Sequence, residues 1–418
     1  MKRLLFFIAI LMSVFSVKSQ EISLAECYKL VRTNFPLIRQ QGLVTETANT
    51  SAAALLSRYF PQIQLVGQAT WQSDVTKIPI NIPNLTIPSL EKDQYKVYAE
   101  ASQLVFDGGE TGLQRKTIRA NANVEQQKIE VELYKLHDRI NQTYFGILLM
   151  DEQFKQNELL RNDLLTALEK IKVMVKNGVS LATNQQNLEA ELLIVNQINT
   201  EIHTNRQSLV KVLSLLIGKE LTDQTVFIRP LAVTLNNDNQ RPELKLIDIQ
   251  IGNLNLQNKQ LTAQNLPKFN LFAQGGFGKP ALNMFSNSFE SYFIAGAKIN
   301  WHFSRLYTLG KERSNIEIQR KTLNLQKEIF NLNNAISQTQ QSGEIQKLKK
   351  MLLTDDEILA LRTKIKQTSS TQLENGVITS PDFIREANAE NQARQKKALH
   401  ELQLLLAEYN LKWINVAP

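Results

Sequence analysis

The chain has 418 residues, of which 21% are charged and one is cysteine, and its formal net charge is +8. The single cysteine, Cys27, excludes an intrachain disulfide. Three of the 48 basic residues lie before residue 20, and the remaining 45 are interspersed among 40 acidic residues without forming a basic stripe. This distribution is typical of solvated helix faces and argues against nucleic-acid binding.

The amino terminus has the pattern of a secretory signal peptide. Lys2 and Arg3 are followed by an apolar run from Leu4 to Val17 and by a small residue, Ser19, at the expected cleavage position. The run is shorter than the roughly 20 residues that a membrane-spanning helix needs, so an uncleaved anchor is the weaker alternative. We therefore expect residues 1–19 to be removed and the mature chain to leave the cytoplasm.

Two helices are predicted next. Ser23, followed by Glu26, is the pattern of a helix start, and a helix is expected over residues 24–34. A second helix, over residues 37–59, follows the break at Pro36. Cys27 follows a glutamate rather than the small residue that a lipidation signal requires, so we expect its side chain to be buried in the first helix.

Two strands are predicted from alternating apolar and polar residues over 62–72 and 95–106. This period of two gives each strand one apolar and one polar face. Asp107-Gly108-Gly109 then turns the chain from the second strand into a helix.

The longest regular segment runs from about Gly108 to Gly218 and contains no proline. Its apolar residues recur at spacings of three and four, which is the seam of a coiled coil. Asn177-Gly178 interrupts the pattern and predicts a turn between two antiparallel helices. The first of these helices, over about 112–175, would be on the order of 95 Å long. The seam residues are Ile129, Leu133, Leu136, Ile140, Leu160, Leu164, Leu168, Ile171, Val175, Val195, Ile198, Ile202, Leu209, Val212 and Leu216.

The second half of the chain repeats the order of the first. Pro36 recurs as Pro242, 206 residues later, and Asn177-Gly178 recurs as Asn375-Gly376, 198 residues later. Internal duplication of this kind constrains any fold assignment. The predicted elements of the second half are strands over 269–277 and 292–303 and long helices over 311–373 and 381–413. We divide the mature chain into a first repeat (20–217), an irregular connector (218–240), a second repeat (241–413) and a short tail (414–418).

Four strands of roughly 9–12 residues have the length that crosses a bilayer when tilted. Their polar faces include Lys96, Glu100 and Lys298, which suits a lipid-facing exterior and a wet interior. Four strands cannot close a barrel, and open edges are not tolerated in hydrocarbon, so we expect copies of the chain to share strands. Three copies would give twelve strands. A soluble sandwich of strands packed on helices is the alternative that periodicity leaves open.

Several short motifs occur in this order and spacing over nearly the whole mature chain. They are Ser23-Leu24-Ala25-Glu26, Asn34-Phe35-Pro36, Phe106-Asp107-Gly108-Gly109, Asn177-Gly178-Val179, Arg241-Pro242-Glu243-Leu244, and Asn375-Gly376-Val377 with Asp382. Together they resemble the TolC-type outer-membrane efflux channels. The resemblance implies a mainly helical fold with membrane β structure, in which a trimeric, twelve-stranded barrel stands on a helical periplasmic tunnel. It also implies location in the outer membrane of a Gram-negative-type cell, with a periplasmic adaptor protein and an inner-membrane pump as partners.

The tips of the two predicted hairpins are the candidate functional site. The resemblance implies that Asn177-Gly178-Val179 and Asn375-Gly376-Val377 dock the adaptor. In the family, acidic residues six and nine positions after the second glycine line the periplasmic aperture. Asp382 matches the first of these positions, whereas Arg385 departs from the second, and Asn184 is the first-repeat counterpart of Asp382.

Two roles for Asp382 remain open. Three copies on a threefold axis would attract cations, and Arg385 could pair with Asp382 one turn away and hold the tip shut. Alternatively, Asp382 could cap a helix that begins at Ser380-Pro381.

No catalytic or cofactor chemistry is predicted. The four histidines are far apart in sequence, without a second histidine or cysteine at ligand spacing, and are interpreted as surface or lumen side chains. The chain contains no Gly-x-Ser-x-Gly motif. The favoured function is a passive exit duct for cargo pumped elsewhere, and the alternative is a non-conducting periplasmic coiled-coil scaffold or surface attachment protein.

Overall fold

The computed structural model describes residues 21–76, 89–232 and 241–415. The predicted signal peptide, residues 233–240 of the connector and residues 416–418 of the tail lie outside this range. In chain order the elements are β1 (Glu21–Ile22), α1 (Leu24–Asn34), α2 (Leu37–Ala54), β2 (Gln62–Trp71), β3 (Asp93–Phe106), α3 (Glu110–Lys176), α4 (Ala182–Ile217), β4 (Val226–Phe227), α5 (Pro242–Gln264), β5 (Lys268–Lys279), β6 (Glu290–Asn300), α6 (Leu306–Glu374) and α7 (Ser380–Asn415).

Both halves have the predicted order of strand pair, long helix and return helix, but among the described residues the second half has one helix before its strands where the first half has two. A strand pair precedes a helix of 67 residues in the first half and one of 69 residues in the second, and each long helix is followed by a helix of 36 residues. The main errors are at element ends. The second helix stops at Ala54 and continues as a 3₁₀ turn to Tyr59, and the last strand ends at Asn300 rather than at residue 303.

The connector is more regular than expected. Val226–Phe227 forms a short parallel pair with Glu21–Ile22. Ile22 and Phe227 are both buried in the main apolar cluster of the helices. The connector therefore contributes to the core rather than only linking the two halves.

The chain divides into two compact units. The helix unit contains the described residues up to Arg39, Ile129–Glu243 and those from Ile329 onward. The sheet unit contains Gln40–Lys128 and Leu244–Glu328.

The sheet unit holds four antiparallel strands in the order β2-β3-β5-β6. The register places odd-numbered residues of all four strands on one face, here called the odd face, and even-numbered residues on the other, the even face. The odd face is apolar and exposed, and it includes Ile63, Leu65, Val97, Leu271 and Phe293. The even face carries most of the polar side chains, as the alternation predicts.

The helix unit is built around seams between long helices. Leu164, Ile171, Leu188 and Val195 are buried in one cluster, as the spacing of three and four predicts. Ile198 and Val212 are exceptions, because both are exposed in the chain described here. Cys27 is buried, as expected for a small apolar side chain of α1. No helix among the described residues is both long and apolar enough to cross a lipid bilayer.

His137 was predicted to be a surface or lumen residue, and this is wrong. Its side chain is 4% exposed and stacks on Trp413, with 3.9 Å between ring centroids. Its Nδ1 lies 2.8 Å from the carbonyl oxygen of Tyr134. Burial disfavours the charged imidazolium and lowers the pKa of His137 to about 4, so the ring is neutral at neutral pH.

Candidate functional site at the hairpin tips

The two long hairpins of the helix unit turn in the same way. Gly178 and Gly376 have φ angles of +71° and +70°, a left-handed conformation that favours glycine. The amides of Val179 and Val377 each lie 2.8 Å from the carbonyl oxygen five residues earlier, on Met174 and Gln372. This is the Schellman arrangement, which satisfies carbonyl groups at a helix end. The two valine side chains are 70% and 69% exposed, so each tip presents an apolar residue to its surroundings.

The return helices begin differently. Leu181 precedes α4, and none of the described side chains caps it. α7 begins at Ser380 with Asp382 in its first turn. One carboxylate oxygen of Asp382 accepts hydrogen bonds from the amide and the hydroxyl of Thr379, at 3.2 and 2.6 Å. The position of Asp382 is therefore that of a capping residue, one of the two roles that the sequence left open.

Asn184 joins the two hairpins. Its Oδ1 accepts a hydrogen bond from the Ser380 amide at 3.2 Å, and its Nδ2 donates to Ser180 Oγ at 3.1 Å. The Ser380 amide is one of those at the start of α7 that have no partner within their own helix. Asn184 thus completes the start of α7 from the neighbouring hairpin.

Arg385 lies beside Asp382, as the spacing of three predicts. Its guanidinium nitrogen is 3.4 Å from Asp382 Oδ1, and a second nitrogen is 3.1 Å from Glu386 Oε1. Both members of the Asp382 pair are well exposed to solvent. Hydrogen bonds from Thr379, followed by the charge on Arg385, hold the pKa of Asp382 below its ordinary value.

A charged cluster behind the tips connects α3, α6 and α7, and sequence reasoning missed it. Lys366 of α6 lies 2.7 Å from Asp163 of α3 and 3.3 Å from Glu390 of α7. The side chain of Glu390 is only 4% exposed and also accepts hydrogen bonds from Thr363 (2.9 Å) and Arg394 (3.0 Å). Lys170 and Glu374 form a further ion pair between α3 and α6.

The ionisation of Glu390 follows from these contacts. Burial alone would raise its pKa, but the hydrogen bonds from Arg394 and Thr363 and the charges of Lys366 and Arg394 outweigh it. The pKa of Glu390 is therefore below its ordinary value, and the carboxylate is ionised at neutral pH. In the sequence the members of this cluster are isolated charged residues on three helices. The sequence alone does not predict the cluster, because only helix packing brings them together.

The strand-to-helix turn of the sheet unit is built as its sequence indicates. Asp107 Oδ1 and Oδ2 accept the amides of Gly109 and Thr111 at 2.9 and 2.7 Å, which caps the start of α3. Gly108 and Gly109 both have positive φ angles. A Cβ on Gly108 would lie 2.7 Å from the Cβ of Leu266, so this glycine is also required for close packing. The turn has a structural role in fixing where β3 ends and α3 begins.

Among the described residues, no group of three or more His, Cys, Asp or Glu side chains is placed to hold a metal ion. His400 instead lies 2.6 Å from Asp355, as a half-buried partner within the helix unit. The site is thus one of turns, caps and ion pairs.

Solved structures that share the overall fold of this chain include outer-membrane channels. The outer-membrane channel OprN matches with a TM-score of 0.68 and 12% identity over 94% of this chain and 90% of that chain. CusC, which forms a transmembrane channel, matches with a TM-score of 0.68 and 14% identity over 94% and 92%. The outer membrane protein VceC from Vibrio cholerae matches with a TM-score of 0.66 and 13% identity over 94% and 95%.

Comparisons at the level of sequence identify no further relative. No protein-family model matches the chain, and a search of curated protein sequences finds no match. At these identities the structural likeness establishes the fold. The chain has the fold of the TolC-type outer-membrane efflux channels, which is the fold that its sequence motifs predict.

Proposed function

We propose that this protein is the outer-membrane exit duct of an efflux or secretion system. Three copies would form a passive conduit for cargo that an inner-membrane pump delivers through a periplasmic adaptor. The observation that carries the proposal is the four-stranded sheet, which has an exposed apolar face and, among the described residues, two edge strands that each pair on one side only.

The odd face of the sheet suits contact with lipid. Ile63 and Leu65 are each 77% exposed, which is a large unfavourable area for a sheet in water. Exposed aromatic residues lie toward both ends of the strands, where an interfacial belt would lie. Those toward the loop end are Trp71, Tyr95, Phe277, Phe289 and Phe293, and those toward the helix end are Tyr59, Phe60, Phe106, Phe269, Trp301 and Phe303.

The edges of the sheet support assembly with further copies. Within the residues that the structure describes, β2 and β6 each pair on one side only. β2 has no charged residue or proline, the usual means of blocking an exposed edge. Because all neighbouring strands are antiparallel, β6 of one copy and β2 of the next would also pair in antiparallel fashion. Three copies would then close a barrel of twelve strands, an even number as is usual for such barrels.

The long helix α6 presents a second surface for other copies. Exposed apolar residues follow it at spacings of three and four, in the pattern of an unpartnered coiled-coil seam. They are Leu325, Ile329, Leu332 and Ile336, and then Ile358, Leu361 and Ile365. We assign this seam to contact with a neighbouring copy, since the edges of the sheet require one.

The hairpin tips take the roles expected at the periplasmic end. Asn177-Gly178-Val179 and Asn375-Gly376-Val377 would dock the adaptor through their exposed valines. Asp382, with Asn184 and Arg385 beside it, would line the aperture. The aperture role for Asp382 adds to its capping contacts and does not replace them.

The test places a charge on each face of the same strand. If the odd face meets lipid, Leu65→Lys should cost about 2–4 kcal/mol at the bilayer midplane and abolish membrane assembly. Gln64→Lys, on the even face, should be tolerated as a lumen residue. Membrane fractionation, SDS-resistant trimer formation and pore formation in planar bilayers are measured for both variants and the wild type.

The alternative is a soluble scaffold, and it predicts the opposite pattern. Leu65→Lys would then be neutral or improve solubility, because the leucine would face water. A wild-type protein that is monomeric and soluble without detergent, and forms no pores, would overturn the proposed channel.

A further inference from the structure

One row of the even face places two tyrosines on either side of a glycine. The register aligns Tyr98 of β3, Gly276 of β5 and Tyr292 of β6, with Val66 of β2 completing the row. β3 and β6 are two strand spacings apart, or about 9.6 Å. The ring centroids of Tyr98 and Tyr292 are nevertheless only 6.4 Å apart, with 54° between the ring planes. The two rings therefore lean toward each other across the glycine.

Gly276 allows this arrangement because it has no side chain. A Cβ at this position would lie 2.2 Å from the carbonyl oxygen of Val97 and 2.5 Å from the Cα of Tyr98. Both contacts involve the backbone of a paired strand, which cannot move aside without breaking the sheet. The space between the tyrosine rings is thus kept free of a third side chain.

Both rows that flank the tyrosines carry charged side chains. In the next row, Glu100 Oε2 accepts a hydrogen bond from Gln274 Nε2 at 2.6 Å. The row on the loop side contains one charge of each sign, on Lys96 and Glu290. Rows are about 6.8 Å apart, and the next lysine, Lys298, lies two rows beyond Glu100. The two rows that flank the tyrosines therefore hold two carboxylates and one lysine, and among the described residues Glu100 has no cation beside it in its own row.

We propose that Tyr98, Tyr292 and Glu100 form a subsite for planar aromatic cations on the wall of the pore. The inference rests on the proposed function, because it takes the even face as the pore wall. The face of a tyrosine ring attracts a cation through its quadrupole, and the carboxylate adds an ionic attraction. Three copies would place three such subsites at one level. Several weak subsites favour entry of a cation without preventing its release, as conduction requires.

The test uses ethidium, a planar aromatic cation, with the detergent-solubilised trimer and with single channels in planar bilayers. Equilibrium dialysis measures ethidium binding, and current block measures its effect in the pore. The double variant Tyr98→Ala with Tyr292→Ala should weaken both by about tenfold, since two cation–π contacts are lost. Glu100→Gln should weaken both by about threefold, and Tyr98→Phe should leave them unchanged because it keeps the ring face.

Matched controls separate this subsite from general effects. Tyr95→Ala removes a tyrosine from the odd face of the same strand and should leave ethidium binding and block unchanged. 2-Naphthalenesulfonate, an aromatic anion, should not distinguish the double variant from the wild type, because a ring face and a carboxylate do not attract an anion. If the double variant does not assemble, Tyr98→Leu serves in its place, because leucine restores volume without an aromatic face.

Failure of the subsite and failure of the channel give different results. A double variant with wild-type conductance that binds ethidium as the wild type does would overturn the subsite while the channel function stands. A wild-type protein that forms no pores would overturn the proposed function and the subsite with it.

Discussion

The two hairpin tips of the helix unit end their first helices alike and begin their second helices differently. Each turn has a left-handed glycine followed by an exposed valine whose amide closes the helix. At the start of the return helix, however, the equivalent positions 184 and 382 hold asparagine and aspartate. Asp382 bonds to Thr379, immediately before its own helix, whereas Asn184 bonds to Ser380 of the other hairpin.

After duplication, the two equivalent residues both stabilise the start of the same helix, α7. Both equivalent residues supply acceptors to the start of α7, and the start of α4 has no side-chain cap among the described residues. The first tip is therefore the less constrained of the two. We infer that the second tip is held in place by contacts from both hairpins, while the first can adapt to a partner.

Glu390→Gln should lower the free energy of unfolding more than the other variants, because it removes the charge around which the cluster behind the tips is arranged. Lys366 and Arg394 would lose their shared partner at a side chain that is almost fully buried. Breaking a buried ion pair in this way costs about 3 kcal/mol. Thermal unfolding of the solubilised protein should show a lower midpoint, and hydrogen exchange should show faster exchange across both hairpins.

The pH dependence identifies the charge as the cause. The folded pKa of Glu390 is below its ordinary value of 4.5. The ionised carboxylate therefore adds its full contribution to the free energy of unfolding above about that pH. The contribution is lost as the pH falls through the folded pKa, and the penalty of Glu390→Gln should shrink there. Glu344→Gln removes an exposed pair with Lys347 on α6 and should cost less than about 0.5 kcal/mol. A similar cost for both variants would show that burial of Glu390 does not matter.

Asn184→Ala should lower stability by an intermediate amount, and the loss should occur in the other hairpin, at the start of α7. The Ser380 amide would lose its acceptor, at a cost of about 1–2 kcal/mol. Hydrogen exchange should therefore increase at the first turn of α7 rather than at the first turn of α4, where residue 184 itself lies. Asp382→Ala, which removes the acceptor at the equivalent position, should also loosen the first turn of α7. If Asn184→Ala loosens only α4, the two hairpins are not joined by this contact.

The sequence predicts the turns and misses the contacts between hairpins for a physical reason. The glycine turns depend on local backbone conformation, so Asn177-Gly178 and Asn375-Gly376 could be placed from their neighbours alone. The bond from Ser380 to Asn184 joins residues 196 positions apart and depends on how two hairpins pack. The duplication itself is misleading here, since equivalent positions suggest equivalent roles.

The burial of His137 follows from its position in the helical pattern of α3. Leu133, His137, Ile140 and Tyr144 follow the spacing of four, three and four, and all four are buried. Separation in sequence from other metal-ligand residues excludes a local metal motif but carries no information about burial. Helical spacing is the more informative criterion for a lone histidine in a long helix.

Arg385→Ala should change the protein least. The ion pair between Arg385 and Asp382, which we propose holds the tip shut, is exposed to solvent. An exposed ion pair is screened by solvent and contributes little, so the resting conductance of single channels should rise by no more than about fivefold. Asp382→Ala should additionally weaken cation preference, since it removes the carboxylate from the aperture.

Thr379→Ala provides the contrast, because it removes a capping contact and leaves both charges in place. If Thr379→Ala raises conductance as much as Arg385→Ala does, the tip opens through loss of the cap. If Arg385→Ala changes nothing, Arg385 has no part in gating.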